Sequence, residues 1–255
     1  MPFLIAGGHR LDAEVVPPAH PDRPMVVFLH EGLGSRLQWK DFPARVRQAL
    51  GVGTVVYSRW GYGASDPRAG DWPASFMHDE ALTSLPEVLA AANVTQPPVL
   101  YGHSDGGSIA LIFAAHYPDA VRAIVTEAAH VVVEDLTVAR IASVRQRFAE
   151  RAQFARFARH HGDHAEALWS GWSGAWLSPA FRRWDIRPVL ARVACPVLAI
   201  QGCDDEFGTP NQLRAIEAGV TGHVTGLMVE SCGHAPHAER PDAVVAALVS
   251  FLASC

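Results

Sequence analysis

Cysteine is scarce in this 255-residue chain and carries no pattern. Cys195, Cys203, Cys232 and Cys255 are scattered without C-x-x-C spacing, so the sequence points to neither a zinc site nor a disulfide framework, and the four read as reduced packing residues. Charge is also sparse. Asp, Glu, Lys and Arg make up 18% of residues, the formal net charge is -5, and no basic block occurs. These features argue against nucleic acid and anionic membrane surfaces as partners. The chain has no apolar run long enough to cross a bilayer, and no charged segment followed by a long apolar stretch near Met1. The expectation is therefore a cytoplasmic protein. Internal repeats, low-complexity tracts and long linkers are absent as well.

What is present is ample apolar material, 49% of the residues, in a chain long enough to bury roughly 70 to 75% of its unfolded surface. Short apolar runs alternate with helical patterns. Phe3 to Ile5 and Leu11 to Val16 read as a hairpin around Gly7-Gly8, and Met25 to Leu29, Val52 to Tyr57, the run ending at Tyr101, Val121 to Thr126, Pro196 to Ile200 and Leu227 to Val229 read as further strands. Trp39 to Leu50, Ser75 to Ala92, the segment after Ser104 and Pro241 to Leu252 read as helices. Such alternation predicts an α/β fold: a mostly parallel central sheet with helices on both faces and its site at the carboxyl ends of the strands. From about Val133 to Arg187 the alternation stops and the chain becomes helical and rich in Arg, Ala and Trp. One catalytic core, 1-132 with 189-255, carrying an inserted helical cap, 133-188, is the expected organisation.

The chemistry centres on GHSDG, Gly102 to Gly106. A strand turning directly into a helix leaves room only for glycine on either side, and the middle residue, Ser104, is pushed outward in a strained conformation at a helix N-terminus. There the N-H of Asp105 can hold an oxyanion. HEGLGS, leaving the strand that ends at Leu29, supplies a second small-residue loop, with the N-H of Leu33 as the other oxyanion donor. A serine hydroxyl needs a base at neutral pH. His234, in SCGH after the last strand, is the candidate, and an acid must orient its imidazole. Asp204 and Asp205 in GCDDE compete for that role, with Glu127 at the end of an earlier strand in reserve. The order Ser, Asp, His fits a hydrolase sheet.

Through LHEGLGS, SRWGYGASD, GHSDGG, the insertion, CPVLAIQGCDDE and the terminal CGH, the chain resembles the α/β-hydrolase family over its whole length. The resemblance implies the α/β-hydrolase fold, Ser104 as nucleophile, His234 as base, and N-H donors from Leu33 and Asp105. It also implies Asp205 as acid, because the family's acid usually falls three residues after the glycine ending its strand, here Gly202. The loop reads HEG where many members have HG, which bears on which residue donates first. The implied activity is carboxylesterase-like hydrolysis of a small ester, an amide or a lactone through an acyl-enzyme. The alternatives are carbon-carbon bond hydrolysis, perhydrolysis or hydroxynitrile cleavage by the same triad, and a non-catalytic ligand receptor.

The remaining candidates are peripheral. Glu31, His103, Glu127, His130, Trp169, Trp172 and Trp176 are candidate pocket residues; the tryptophans share a helix face, their aromatic character suggests an apolar or aromatic ester, and His103 also reads as packing beside the turn. His237 reads as a cap of the following helix, and Arg59 and Asp66 as a solvated loop. HHGDH, His160 to His164, has no matching carboxylate or cysteine spacing for a metal. No cofactor or metal is called for, and the expected assembly is a monomer or homodimer.

Overall fold

The structure is a computed structural model that describes residues 3-148 and 150-254; Cys255 lies outside the described residues. Eight strands form one sheet in the order β1-β2-β4-β3-β5-β6-β7-β8. β1 (Phe3–Ala6) and β2 (His9–Val16) pair antiparallel, and β2 joins β4 (Gly53–Tyr57) antiparallel. From β4 onward all pairs are parallel, through β3 (Met25–Leu29), β5 (Val99–His103), β6 (Ala123–Glu127), β7 (Val197–Gly202) and β8 (Val224–Val229). β4, β5, β6 and β7 are buried along their whole length, which is why they read as continuous apolar runs rather than alternating ones.

Helices cover both faces. α1 (Phe42–Leu50) and α11 (Pro241–Leu252) lie on one side, where Phe28, Trp39, Phe42, Tyr101, Leu248 and Phe251 share a core. Trp39 does not belong to α1, contrary to the sequence expectation of one helix from Trp39. A short 3-10 turn ends at Trp39, and Lys40 takes φ 52° before α1 begins. On the other side lie α2 (Phe76–Asp79), a π turn at Glu80–Ser84, α3 (Leu85–Ala91) and α4 (Asp105–His116). α4 is buried from Asp105 to Ala115, as an apolar helix wedged beneath other elements must be.

After β6 the chain leaves the sheet and re-enters it only at β7; on the way Val132 and Asp185 form an isolated antiparallel bridge. Between them run α5 (Asp135–Arg147), α6 (Arg151–His161) and α7 (Ala165–Trp176). A buried aromatic group that includes Phe157, Trp169, Trp172, Trp176, Phe181 and Trp184 is continuous with the α4 side of the core. The short α8 (Arg187–Leu190) leads back to β7, α9 (Asn211–Gly219) links β7 to β8, and α10 (Pro236–Glu239) precedes α11.

Candidate active site

The loops at the carboxyl ends of β3, β5, β7 and β8 converge. Ser104 lies between β5 and α4 with φ 54° and ψ -117°, a conformation that costs a non-glycine residue on the order of 1 to 3 kcal/mol and persists only where its surroundings impose it. The surroundings are visible. A Cβ on Gly102 would lie 2.2 Å from the Gly106 carbonyl oxygen, and one on Gly106 would lie 1.9 Å from that of Leu29. The strand and helix therefore approach as closely as backbone permits. Ser104 N-H donates to the Glu127 carbonyl at 2.8 Å and Gly107 N-H to the Ser104 carbonyl at 2.9 Å.

Asp205 is the aspartate that faces His234, with Oδ1 2.8 Å from the imidazole Nδ1. The same oxygen accepts Phe207 N-H at 2.8 Å, and Oδ2 accepts Gln201 Nε2 at 3.0 Å. Burial alone would raise the Asp205 carboxyl, but the hydrogen bond and charge of His234 and the Phe207 amide hold it below its ordinary value. Asp204 takes no part in this contact, so the structure separates the two aspartates that the residues themselves left open. Gln201 and Phe207, whose ring lies 4.6 Å from that of His234, were not singled out in the sequence; both flank the acid, and that proximity was the available signal.

A cavity of about 80 Å³ opens at Ser104 and His234, lined also by Gly32, Leu33, Ile141, Val144, Trp172, Trp176 and Phe207. Glu31, Asp105 and His130 also line it. Trp172 is pinned: its Nε1 donates to Asp105 Oδ2 at 2.8 Å, and its indole lies where a Cβ on Gly32 would be 2.3 Å away. Burial pushes the Asp105 carboxyl up, against the charge of Arg59 and the Trp172 indole. Burial, reinforced by nearby His234, drives His130 down to about 3, so His130 is neutral at physiological pH.

Three candidate pocket residues lie elsewhere. Trp169 packs against Phe148 and Phe157 instead of the cavity; it sits one turn before Trp172, and the stripe rotates away from the opening. Glu127 turns under the sheet edge and accepts from His237 Nδ1 and the Tyr101 hydroxyl, each at 2.6 Å. His237 is accordingly a buried partner of Glu127, not a cap of α11. His103 is buried too, with Nε2 donating to the His234 carbonyl at 2.8 Å and Nδ1 3.5 Å from Glu31 Oε2, an ion-pair separation. Burial would lower His103, yet the Glu31 carboxylate beside it lifts it to about 9. In return, and against the effect of burial, His103 holds Glu31 well below the usual carboxylate range.

Arg59 departs from the expectation of a solvated loop, and His161 has a role that the sequence did not suggest. Arg59 is only 2% exposed, not solvated, and donates to the carbonyls of His30 and Glu31 at 3.2 and 2.9 Å. His161, from the histidine-rich stretch, clamps two loops: Nδ1 accepts Gly63 N-H at 2.9 Å and Nε2 donates to the Leu33 carbonyl at 3.1 Å. Burial keeps its imidazole down to about 4, the neutral form that this donor-acceptor pattern needs. A separate cleft at the amino end of β3, lined by Pro17, Pro18, Pro21 and Asn93, contains no carboxylate or histidine.

Residues 26–247 match the family model described as the alpha/beta hydrolase family, and the chain belongs to that family. Solved structures of similar fold include an esterase from Rhodococcus sp. (21% identity, 100% of this chain and 99% of that one, TM-score 0.74). An enol-lactonase from Burkholderia xenovorans is also similar (20%, 99% and 100%, TM-score 0.72), as is a meta-cleavage product hydrolase from Pseudomonas fluorescens (16%, 99% and 97%, TM-score 0.73). No curated protein matches the sequence. Identities this low carry the fold, while chemistry must be argued from the site. No helix among the described residues is long and apolar enough to cross a membrane.

Proposed function

We propose that this protein is a serine hydrolase that cleaves a small carboxylic ester through an acyl-enzyme. Ser104 Oγ attacks the ester carbonyl. His234, whose Nδ1 is occupied by Asp205, receives the serine proton at Nε2 and passes it to the leaving alcohol. A water, deprotonated by the same nitrogen, then attacks the acyl carbonyl, and the carboxylic acid leaves as Ser104 regains its proton. The Asp205 carboxylate holds the imidazole tautomer and stabilises the imidazolium.

The N-H groups of Leu33 and Asp105 stabilise the oxyanion. Asp105 is the first residue of α4, where an N-H has no partner within the helix. His161 steadies the loop that carries Leu33. The helices between β6 and β7 form the cap, because Ile141, Val144, Trp172 and Trp176 from α5 and α7 wall the cavity at Ser104. A cavity of about 80 Å³ is well below the several hundred Å³ of a drug-sized site, so the acyl part is short, and its aliphatic and aromatic walls favour an apolar one.

The observation that carries this reading is the 2.8 Å contact between His234 and Asp205 at the mouth of a cavity that also exposes the strained Ser104. Turnover of p-nitrophenyl acetate and of longer-chain esters tests it. Wild-type protein should prefer short chains, and Ser104→Ala should lose on the order of 10⁴-fold or more in kcat. Unchanged turnover in Ser104→Ala contradicts the assignment.

A further inference from the structure

The small cavity has one polar lining group that the hydrolytic steps leave idle. His234 is engaged by Asp205, Trp172 by Asp105 and Glu31 by His103, and the Trp176 indole bears on the Asp105 carboxyl. His130 lines the same cavity and is 2% exposed, yet no group among the described residues takes up either ring nitrogen. Nδ1 is sealed and without a partner. Nε2 is also unpaired but not sealed, and in a residue so covered its remaining surface opens on the cavity.

Packing and backbone fix the ring instead. It meets Trp176 edge to face, with centroids 5.2 Å apart. Cε1 lies against Gly208, where a Cβ would stand 3.6 Å away, and the His130 carbonyl accepts the Ser108 hydroxyl at 2.6 Å. The ring of His234 is 6.0 Å away, so His130 stands beside the reacting centre without entering it.

A buried polar atom without a partner carries an uncompensated desolvation cost, which a ligand group of matching polarity recovers. Burial keeps this imidazole neutral, so it has a single N-H. Orphaned buried N-H groups are rarer than orphaned acceptors, which leaves the lone pair on sealed Nδ1 and the proton on Nε2, facing the cavity. That donor needs an acceptor oxygen. No Lys or Arg among the described residues lines the cavity to neutralise an anion, so the oxygen is uncharged, as in a ketone or an ether.

We propose that His130 is a specificity determinant whose Nε2-H donates to an uncharged oxygen on the acyl group, selecting short oxoacyl or alkoxyacyl esters over alkanoyl esters of the same size. This rests on the ester-hydrolase reading, in which the acyl part enters the small cavity. It adds one polar position to an otherwise apolar acyl group.

Two pairs of ethyl esters test it, each followed by acid release at constant pH. Methoxyacetate is compared with butyrate, and pyruvate with 2-methylpropanoate; each pair exchanges an oxygen for a carbon group of similar size. The oxygen esters are intrinsically more reactive, so their rates with hydroxide alone are the reference. In wild type the oxygen preference in kcat/KM should exceed the hydroxide ratio by on the order of ten-fold for at least one pair, the worth of one neutral hydrogen bond. His130→Phe keeps a ring against Trp176 and should bring that excess close to one. Any effect of the substitution on His234 acts on both members of a pair and cancels. An excess absent from both pairs in wild type, or one that survives His130→Phe, overturns the proposal. If His130→Phe does not fold, His130→Leu is read in its place with the same two outcomes. Hydrolysis of none of the four esters overturns the hydrolase reading and this inference with it; hydrolysis without the excess overturns this inference alone.

Discussion

The Glu127–His237 pair beneath the site offers a sharp energetic test. Glu127 is fully buried, and its two carboxylate oxygens are taken by Tyr101 and His237. Burial alone would raise its pKa, but His237 and, more weakly, His103 and Tyr101 reverse the effect and leave it lowered. In His237→Phe the ring contacts with Trp39 and Phe42 are largely kept while the donor to Glu127 is lost. A buried carboxylate stripped of its partner then escapes by taking a proton. From an ordinary glutamate value of about 4.3, neutralising it at pH 7 costs about 4 kcal/mol, and at pH 5 about 1 kcal/mol, at roughly 1.4 kcal/mol per pH unit.

The destabilisation of His237→Phe should therefore approach 4 kcal/mol at pH 7, roughly 8 to 16 °C in Tm for a chain of this size, and shrink towards 1 kcal/mol at pH 5. Adding Glu127→Gln removes the charge and should restore most of the loss, because replacing both members of a buried pair is far milder than removing one. Urea unfolding at the two pH values reads both effects. A deficit that is equal or larger at pH 5, or a double variant no better than the single one, refutes the reasoning.

Three other outcomes are expected. Gly106→Ala forces a Cβ to within 1.9 Å of the Leu29 carbonyl oxygen, a backbone clash that no side-chain rotation relieves, so the variant should be recovered mostly as insoluble or unfolded protein on size-exclusion chromatography. Trp172→Phe keeps most of the ring but leaves Asp105 Oδ2 without its indole donor, which should cost about 1.5 to 3 kcal/mol by chemical denaturation and lower esterase kcat. His161 is held at about 4 against an unfolded value near 6.5. Below pH 6.5 the unfolded chain thus takes a proton that the folded chain refuses, and stability falls as pH drops towards 4. His161→Phe should flatten that acid limb by roughly 2 to 3 kcal/mol in unfolding measurements, and an unaltered limb contradicts the clamp.

Most parallel strands were legible because strands buried on both faces must be continuously apolar; the strand Met25–Leu29 and the C-terminal helix Pro241–Leu252 have the bounds expected of them. Ser104, Asp205 and His234 could be placed at one edge because each follows such a strand. What the sequence hid depends on contacts between distant residues. Glu127 and His237 are 110 positions apart, and nothing local distinguishes a reserve acid from a buried partner. Arg59 reads as a loop residue until His30 and Glu31 turn their carbonyls towards it. The tryptophan spacing identified a buried helix face, but that Trp172 and Trp176 reach the cavity while Trp169 does not depends on how α7 is rotated against α5 and α6, which periodicity does not specify.

The central claim is that Ser104 is activated by His234 and Asp205 for covalent catalysis. Labelling with a fluorophosphonate probe, read by intact-protein and peptide mass spectrometry, tests it most directly. The account predicts one adduct per chain, on Ser104, abolished in Ser104→Ala and strongly slowed in His234→Ala. Correctly folded wild-type protein that forms no adduct, or forms it on another residue, contradicts the account.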